Sequence, residues 1–213
     1  MNQVILTYSR LPRQLTAVMR ARWRERLSYG RALRLATEPR AQSQTLLGVA
    51  LACRTLSSMA GRAVPAGELR YSRQGKPAAP GLPEFSIAHA GGWVLCAVAS
   101  AGAVGVDLEP LVPARRLPRW TRAFDASERA AACSTRAALA IWTAKEAVLK
   151  ASGATLAELC RVQVRDARVE FRGQCWHRLE PRLAPSVVAC LVTARPVTDL
   201  SVRAVPAGEV LAA

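Results

Sequence analysis

A chain of 213 residues, 51% apolar and 21% charged, can bury a sizeable core as one large domain or two small ones. It has no apolar stretch of the roughly 18 residues that a membrane span needs, and only a short apolar run opens the amino terminus, so the reading is a cytoplasmic protein without a signal peptide. Thirty basic against 15 acidic residues leave a formal charge of +15, which directs attention to a polyanionic partner: nucleic acid, anionic lipid, a nucleotide or an acidic protein.

In chain order, the first 60 residues are rich in Arg, Leu and Ala and are predicted to be helical, with an apolar stripe through Leu46, Leu47, Val49, Ala50, Leu51 and Leu56. Four prolines and four glycines between Gly61 and Pro83 predict a loop. Phe85–Ile87, Trp93–Ala99 and Val104–Leu108 follow as strands, divided by Gly91-Gly92 and by Ser100-Ala-Gly102. Pro110 and Pro113 mark a boundary between two halves, after which Leu111 to Arg122 forms a basic connector. Asp125-Ala-Ser-Glu128 is a capping box that starts a helix, and Ser134 or Thr135 caps the next, which runs through Trp142 and Lys150 to a stop near Gly153. Val162–Val164, Arg168–Phe171, Val187–Thr193 and Leu200–Val205 are further strands. Both halves thus read as helix followed by meander, and Val94-Leu-Cys-Ala-Val-Ala-Ser echoes Val187-Val-Ala-Cys-Leu-Val-Thr. The six cysteines contain no C-x2-C pair for zinc and read as reduced thiols.

Three clusters carry chemistry. In Val104-Gly-Val-Asp107-Leu-Glu109, strand alternation puts Asp107 and Glu109 on one face and Val106 and Leu108 on the other. Two such carboxylates suit either a solvated strand exit or a hard divalent cation such as Mg2+, which completes its shell with water and substrate phosphate. In Trp142-Thr-Ala-Lys145-Glu146-Ala-Val-Leu-Lys150, helical periodicity puts Trp142, Glu146, Leu149 and Lys150 on one broad face with Lys145 at its edge. Glu146 and Lys150 at i, i+4 could be an ordinary surface pair, worth about 0.2–0.5 kcal/mol. Of the 30 basic residues, however, only Lys76, Lys145 and Lys150 are lysines, and two of these stand here. A compact ammonium meets a phosphate or moves a proton in ways a guanidinium fork does not. The third cluster, Phe85-Ser-Ile-Ala-His89-Ala-Gly-Gly-Trp93, puts an imidazole beside a glycine turn, a structural feature or a donor set for phosphate.

Gly105-Val-Asp-Leu-Glu109 and the segment from Trp142 to Lys150 resemble the two signature motifs of 4′-phosphopantetheinyl transferases of the Sfp type. Gly75-Lys76-Pro77 and the residues around His89 and Trp93 resemble two further blocks of that family, in the same order. The likeness is specific from Tyr71 to Gly153, and all three lysines fall inside it. Two departures stand out: Ala88 where the family commonly has serine, and Gln44 where arginine is frequent.

The resemblance implies an α+β fold of two similar halves, residues 1–110 and 111–213, related by pseudo-twofold symmetry, with coenzyme A in the cleft between them. It implies a monomer in which Asp107, Glu109 and Glu146 hold Mg2+ against the coenzyme A pyrophosphate. Gly75, Lys76, Pro77, Ala88, His89, Lys145 and Lys150 would contact coenzyme A, and Arg40, Arg54 and Arg73 are candidates for its 3′-phosphate. Catalysis would fall to Glu146, Lys150 and Asp107, with the Glu146 pKa expected to be pushed down by the metal and two lysines. An acidic carrier protein would dock on Arg115, Arg116, Leu117, Arg119, Trp120 and Arg122. A basic nucleic-acid-binding module and a two-carboxylate metal nuclease are the competing readings.

Overall fold

A computed structural model describes residues 1–11, 14–111 and 121–212. The chain opens with a strand, β1 (Gln3–Arg10), where a helix is expected. Val4, Ile5, Thr7 and Tyr8 are β-branched or aromatic and favour extended backbone. Helices follow: α1 (Ala17–Glu25), capped by the Thr16 hydroxyl, then α2 (Tyr29–Leu33) and α3 (Pro39–Ala60). Pro39 opens α3 without forfeiting a hydrogen bond, while the Glu38 carboxylate accepts from the backbone N–H groups of Arg40 (2.9 Å) and Ala41 (2.6 Å). The expected apolar stripe of α3 is buried throughout.

The predicted loop contains one small hairpin, β2 (Arg70–Tyr71) and β3 (Pro77–Ala78). The three predicted strands follow as β4 (Glu84–Ala90), β5 (Trp93–Ala99) and β6 (Val104–Pro110). The capping box at Asp125 and Glu128 forms and starts α4 (Ala126–Ala131). Ser134 caps α5 (Thr135–Ser152), which ends at Gly153 in the left-handed conformation, φ 70°. After a 3-10 turn come β7 (Gln163–Arg165), β8 (Arg168–Phe171), β9 (Gln174–Leu179), β10 (Val187–Thr193), β11 (Asp199–Ala204) and α6 (Ala207–Ala212).

The molecule is α+β, with one sheet ordered β11-β1-β5-β4 and a second ordered β6-β10-β9-β8-β7. Helix α3 covers β4 and β5, and α5 covers β6 and β10. Between the sheets lies a dry layer that includes Val4, Leu6, Leu95, Val106, Leu108 and Leu191. Sheet membership does not follow chain order at residue 110. Strand β6 pairs with β10, Asp107 opposite Cys190 and Glu109 opposite Val188, although it precedes the connector. Strand β11 returns from the carboxyl-terminal end to lie parallel to β1, Gln3 opposite Asp199. Each sheet therefore contains strands from both sides of residue 111, which ties the halves together.

Candidate active site at the seam between β6 and α5

The site begins with a close approach of backbone to backbone. A Cβ added to Gly105 would stand 1.9 Å from the Ala147 carbonyl oxygen and 2.8 Å from the Ala151 nitrogen, so only glycine lets α5 lie this low on β6. The consequence appears one turn along the helix. Lys150 Nζ donates to Asp107 Oδ1 at 2.6 Å, joining the last turn of α5 to the middle of β6.

Strand alternation sends Val106 and Leu108 into the layer between the sheets and leaves Asp107 on the α5 side. Asp107 is 4% exposed, and its Oδ2 is buried without a hydrogen-bond partner. Burial pushes its pKa up against the pull of Lys150. Glu109 and Glu146 are half-buried beside it. Burial, followed by the Asp107 charge and, for Glu109, the Glu146 charge, raises each to about 7, and Lys150 opposes both shifts. One ammonium does not neutralise three carboxylates, so two of them resist ionisation near neutrality. In the absence of a metal, burial outweighs Lys150 at Glu146, and Lys145, the second lysine of the segment, is turned away from it.

The surplus of hard oxygen donors and the orphaned Asp107 Oδ2 fit a divalent cation in chemical kind. Among the described residues no three His, Cys, Asp or Glu side chains already converge as a ligand set. One oxygen of Asp107 is held by Lys150 instead.

A cleft of about 240 Å³ adjoins the seam, lined by Gly75, Lys76 and Pro77, by Ser86 and Ile87 of β4, and by Lys150 at the end of α5. Lys76 spans it: Nζ reaches Glu84 Oε2 at 2.9 Å and the Ala151 carbonyl at 2.8 Å, where a cation complements the helix C-terminus. The Ser86 hydroxyl accepts from the Val106 N–H at 3.2 Å and locks β4 beside β6. His89 is exposed on β4, and its pKa is lowered, first by the desolvation of its inner side and then by Lys150. Lys76, His89, Lys150 and the three carboxyls, spread over 75 positions of sequence, are thus brought to one region.

Several expected contacts fall elsewhere. Lys145 is 0% exposed and points into the core of the carboxyl-terminal half, where it pairs with Glu128 at 2.8 Å and donates to the Val162 carbonyl. It is not a coenzyme contact, because Lys145 and Glu146 are consecutive on a helix and diverge by 100°. Ala88, 2% exposed, faces the layer between the sheets, so its side chain offers nothing to a ligand. Arg54 pairs with Glu209 of α6 and lines a different groove, with Ile5, Thr7 and Arg203. Arg40 is exposed at the start of α3, near Gly92 in the β4–β5 turn, and Arg73 is exposed in the turn before Gly75. Arg122 is exposed; Arg115, Arg116, Leu117, Arg119 and Trp120 lie outside the described residues.

Sequence reasoning passed over Arg31. Its guanidinium lies 4.5 Å from the centroid of the Tyr71 ring, and its charge reaches His89. One arginine in an arginine-rich segment carries no local signal, and only the packing of α2 against the β2–β3 hairpin singles it out.

A cleft lined by Lys76 and Lys150 thus opens beside a strand and a helix that share three carboxyls. Residues 103–191, which run from β6 through β10 and include Asp107, Glu109, Glu146 and Lys150, match the model of the 4′-phosphopantetheinyl transferase superfamily. The chain is 33% identical over 118 residues to a 4′-phosphopantetheinyl transferase of Bacillus subtilis, covering 52% of each protein. It is 34% identical over 95 residues to the 4′-phosphopantetheinyl transferase Sfp of Bacillus subtilis strain 168, covering 40% of this chain and 42% of Sfp. The chain spans about half the length of the curated relatives it matches. Over its middle part the chain is thus similar to 4′-phosphopantetheinyl transferases.

Proposed function

We propose that this protein transfers the 4′-phosphopantetheine arm of coenzyme A to a serine of an acidic carrier protein, with Mg2+, releasing 3′,5′-ADP. The observation that carries the reading is the Lys150–Asp107 contact at 2.6 Å, with Glu109 and Glu146 half-buried beside it and the Lys76 cleft adjoining. In this reading the halves act as two similar lobes about the seam. Lys76, His89 and Arg31 receive the coenzyme A phosphates, with Arg40 and Arg73 within the same basic surround.

Asp107, Glu109 and Glu146 would hold Mg2+, which supplies charge neutralisation at the pyrophosphate. The carrier serine oxygen bonds to the β-phosphorus, and the bond from that phosphorus to the bridging oxygen breaks, leaving 3′,5′-ADP. The serine proton leaves toward Glu146, directly or through a water that this carboxylate orients. Lys150 stabilises the charge that gathers on the leaving oxygen and holds Asp107 in place.

The test is the intact mass of an apo acyl carrier protein incubated with the protein, coenzyme A and Mg2+. The expected result is a gain of one phosphopantetheine. An unchanged carrier mass, together with Mg2+-dependent nicking of DNA, would return the site to a metal nuclease.

A further inference from the structure

The buried pair Glu128–Lys145 has no part in the chemistry above, yet both carboxylate oxygens and the ammonium are hydrogen-bonded inside the core. Glu128 Oε2 accepts from Lys145 Nζ at 2.8 Å and from the Asp125 N–H at 2.8 Å, and Oε1 accepts from the Val164 N–H at 2.8 Å. Lys145 also donates to the Val162 carbonyl and lies 5.9 Å from the Phe124 ring centroid. Both side chains are 1% exposed. One carboxylate thereby joins the N-terminus of α4, the start of β7 and the middle of α5.

The inner side of α5 packs through Leu139, Ile141, Val148 and Leu149 and through Ala147 and Ala151 close to Gly105, apolar contacts to which the strut adds a directional bond. A helix with side chains is about 10–12 Å across, so turning α5 by 20° moves a side-chain tip by about 2 Å. A displacement of that size breaks the 2.6 Å contact between Lys150 and Asp107.

We infer that Glu128 and Lys145 are positioning residues: a buried ionic strut that sets the rotation of α5, so that Glu146 and Lys150 face Asp107 across the seam. The inference rests on the transferase reading for its catalytic consequence, though not for its geometry. A buried pair is weak evidence of net stability, since apolar replacements of the same size often fold as well, but such pairs can select one packing among several.

That distinction sets the experiment. Wild type, Glu128→Gln, Lys145→Met and the double variant are compared by thermal melting, by transfer kinetics and by crystallography. Each single variant leaves a buried partner without its counterion and melts well below wild type. In the double variant the glutamine oxygen can keep the Val164 bond and methionine fills the volume of the lysine stem, so the Tm returns most of the way to wild type. Turnover does not follow: kcat stays at least about tenfold down while KM for coenzyme A changes less than about twofold, the pattern of a misplaced group. In the crystal, Lys150 Nζ stands beyond about 4 Å from Asp107 Oδ1, the limit of an ion pair.

A double variant that recovers both Tm and kcat, or that keeps the native Lys150–Asp107 distance, would show that the pair serves stability alone. Should the double variant not fold, Glu128→Asp takes its place. It keeps both charges, draws Lys145 inward, and is expected to lower kcat with little loss of Tm; unchanged kcat there overturns the inference. If wild type transfers nothing, the proposed function fails, and the crystallographic distance still decides the role of the strut.

Discussion

Glu109 and Glu146 make the stability of this protein depend on pH in the opposite sense to that of most carboxylates. Their folded pKa values lie at about 7, above the ordinary 4.5. A group whose pKa is raised on folding contributes stability that is whole below the unfolded value and is lost as pH rises through the folded one. The loss therefore runs from pH 4.5 to about 7. At about 1.4 kcal/mol for each factor of ten, and discounted for the solvent that screens these half-exposed and mutually coupled groups, the two together account for on the order of 1–3 kcal/mol. His89, with a lowered pKa, works in the opposite direction over part of this range. Thermal melts in EDTA between pH 4.5 and 8 on wild type and on Glu109→Gln/Glu146→Gln separate the two, since the difference between the curves removes the histidine contribution. The variant should gain on wild type steadily with pH and level off above 7. Millimolar Mg2+ should raise the Tm of wild type at pH 8, where the carboxylates are ionised, and do little at pH 5 or to the variant. A difference between the two proteins that stays flat across pH, or an equal Mg2+ response at pH 5 and 8, would refute the account of three carboxyls sharing one lysine.

Lys150→Met should lower kcat by something on the order of 10²–10⁴, as steady-state transfer assays would read. Gly105→Ala cannot keep the present approach of α5 to β6, so a cooperative but lowered melt should accompany loss of turnover; a variant with wild-type Tm and kcat would show that the helix shifts at no cost. Arg31→Ala should raise KM for coenzyme A several-fold, whereas Arg54→Ala, whose arginine is engaged with Glu209, should leave it unchanged in the same steady-state assay. The opposite order would reverse the assignment of basic groups to the cleft.

Which features were legible in the sequence follows from the range over which each is specified. The capping box at Asp125 and Glu128, the stop of α5 at Gly153 and the stripe of α3 depend on neighbours within one or two turns, and all three stand in the structure as read. Alternation along β6 likewise placed Asp107 and Glu109 opposite Val106 and Leu108. Strand β1 was misread because residues that follow it are strongly helical, while its partners β5 and β11 lie about 90 and 190 positions away. Strand β9 was missed for a similar reason: its buried face before the half-exposed end reduces to Trp176, too little alternation to register.

The amino-acid sequence by itself determined the chemistry available: two carboxylates on one strand face, an acid and a lysine one turn apart on a helix, and a lysine and a histidine in separate turns, all in motifs that resemble those of a known family. Residue types and short spacings set these, because alternation and helical pitch are local properties of the backbone. Tertiary structure decided which groups meet. It turned Lys145 away from the cleft into a buried pair with Glu128, set Lys150 against Asp107 beside two further carboxyls, tied Arg54 to Glu209 and brought Arg31 over Tyr71. Those outcomes depend on the rotation of α5 and on how closely Gly105 lets it approach β6. Both are set by tertiary packing, of α5 against Glu128 and against Gly105, beyond the reach of any local pattern.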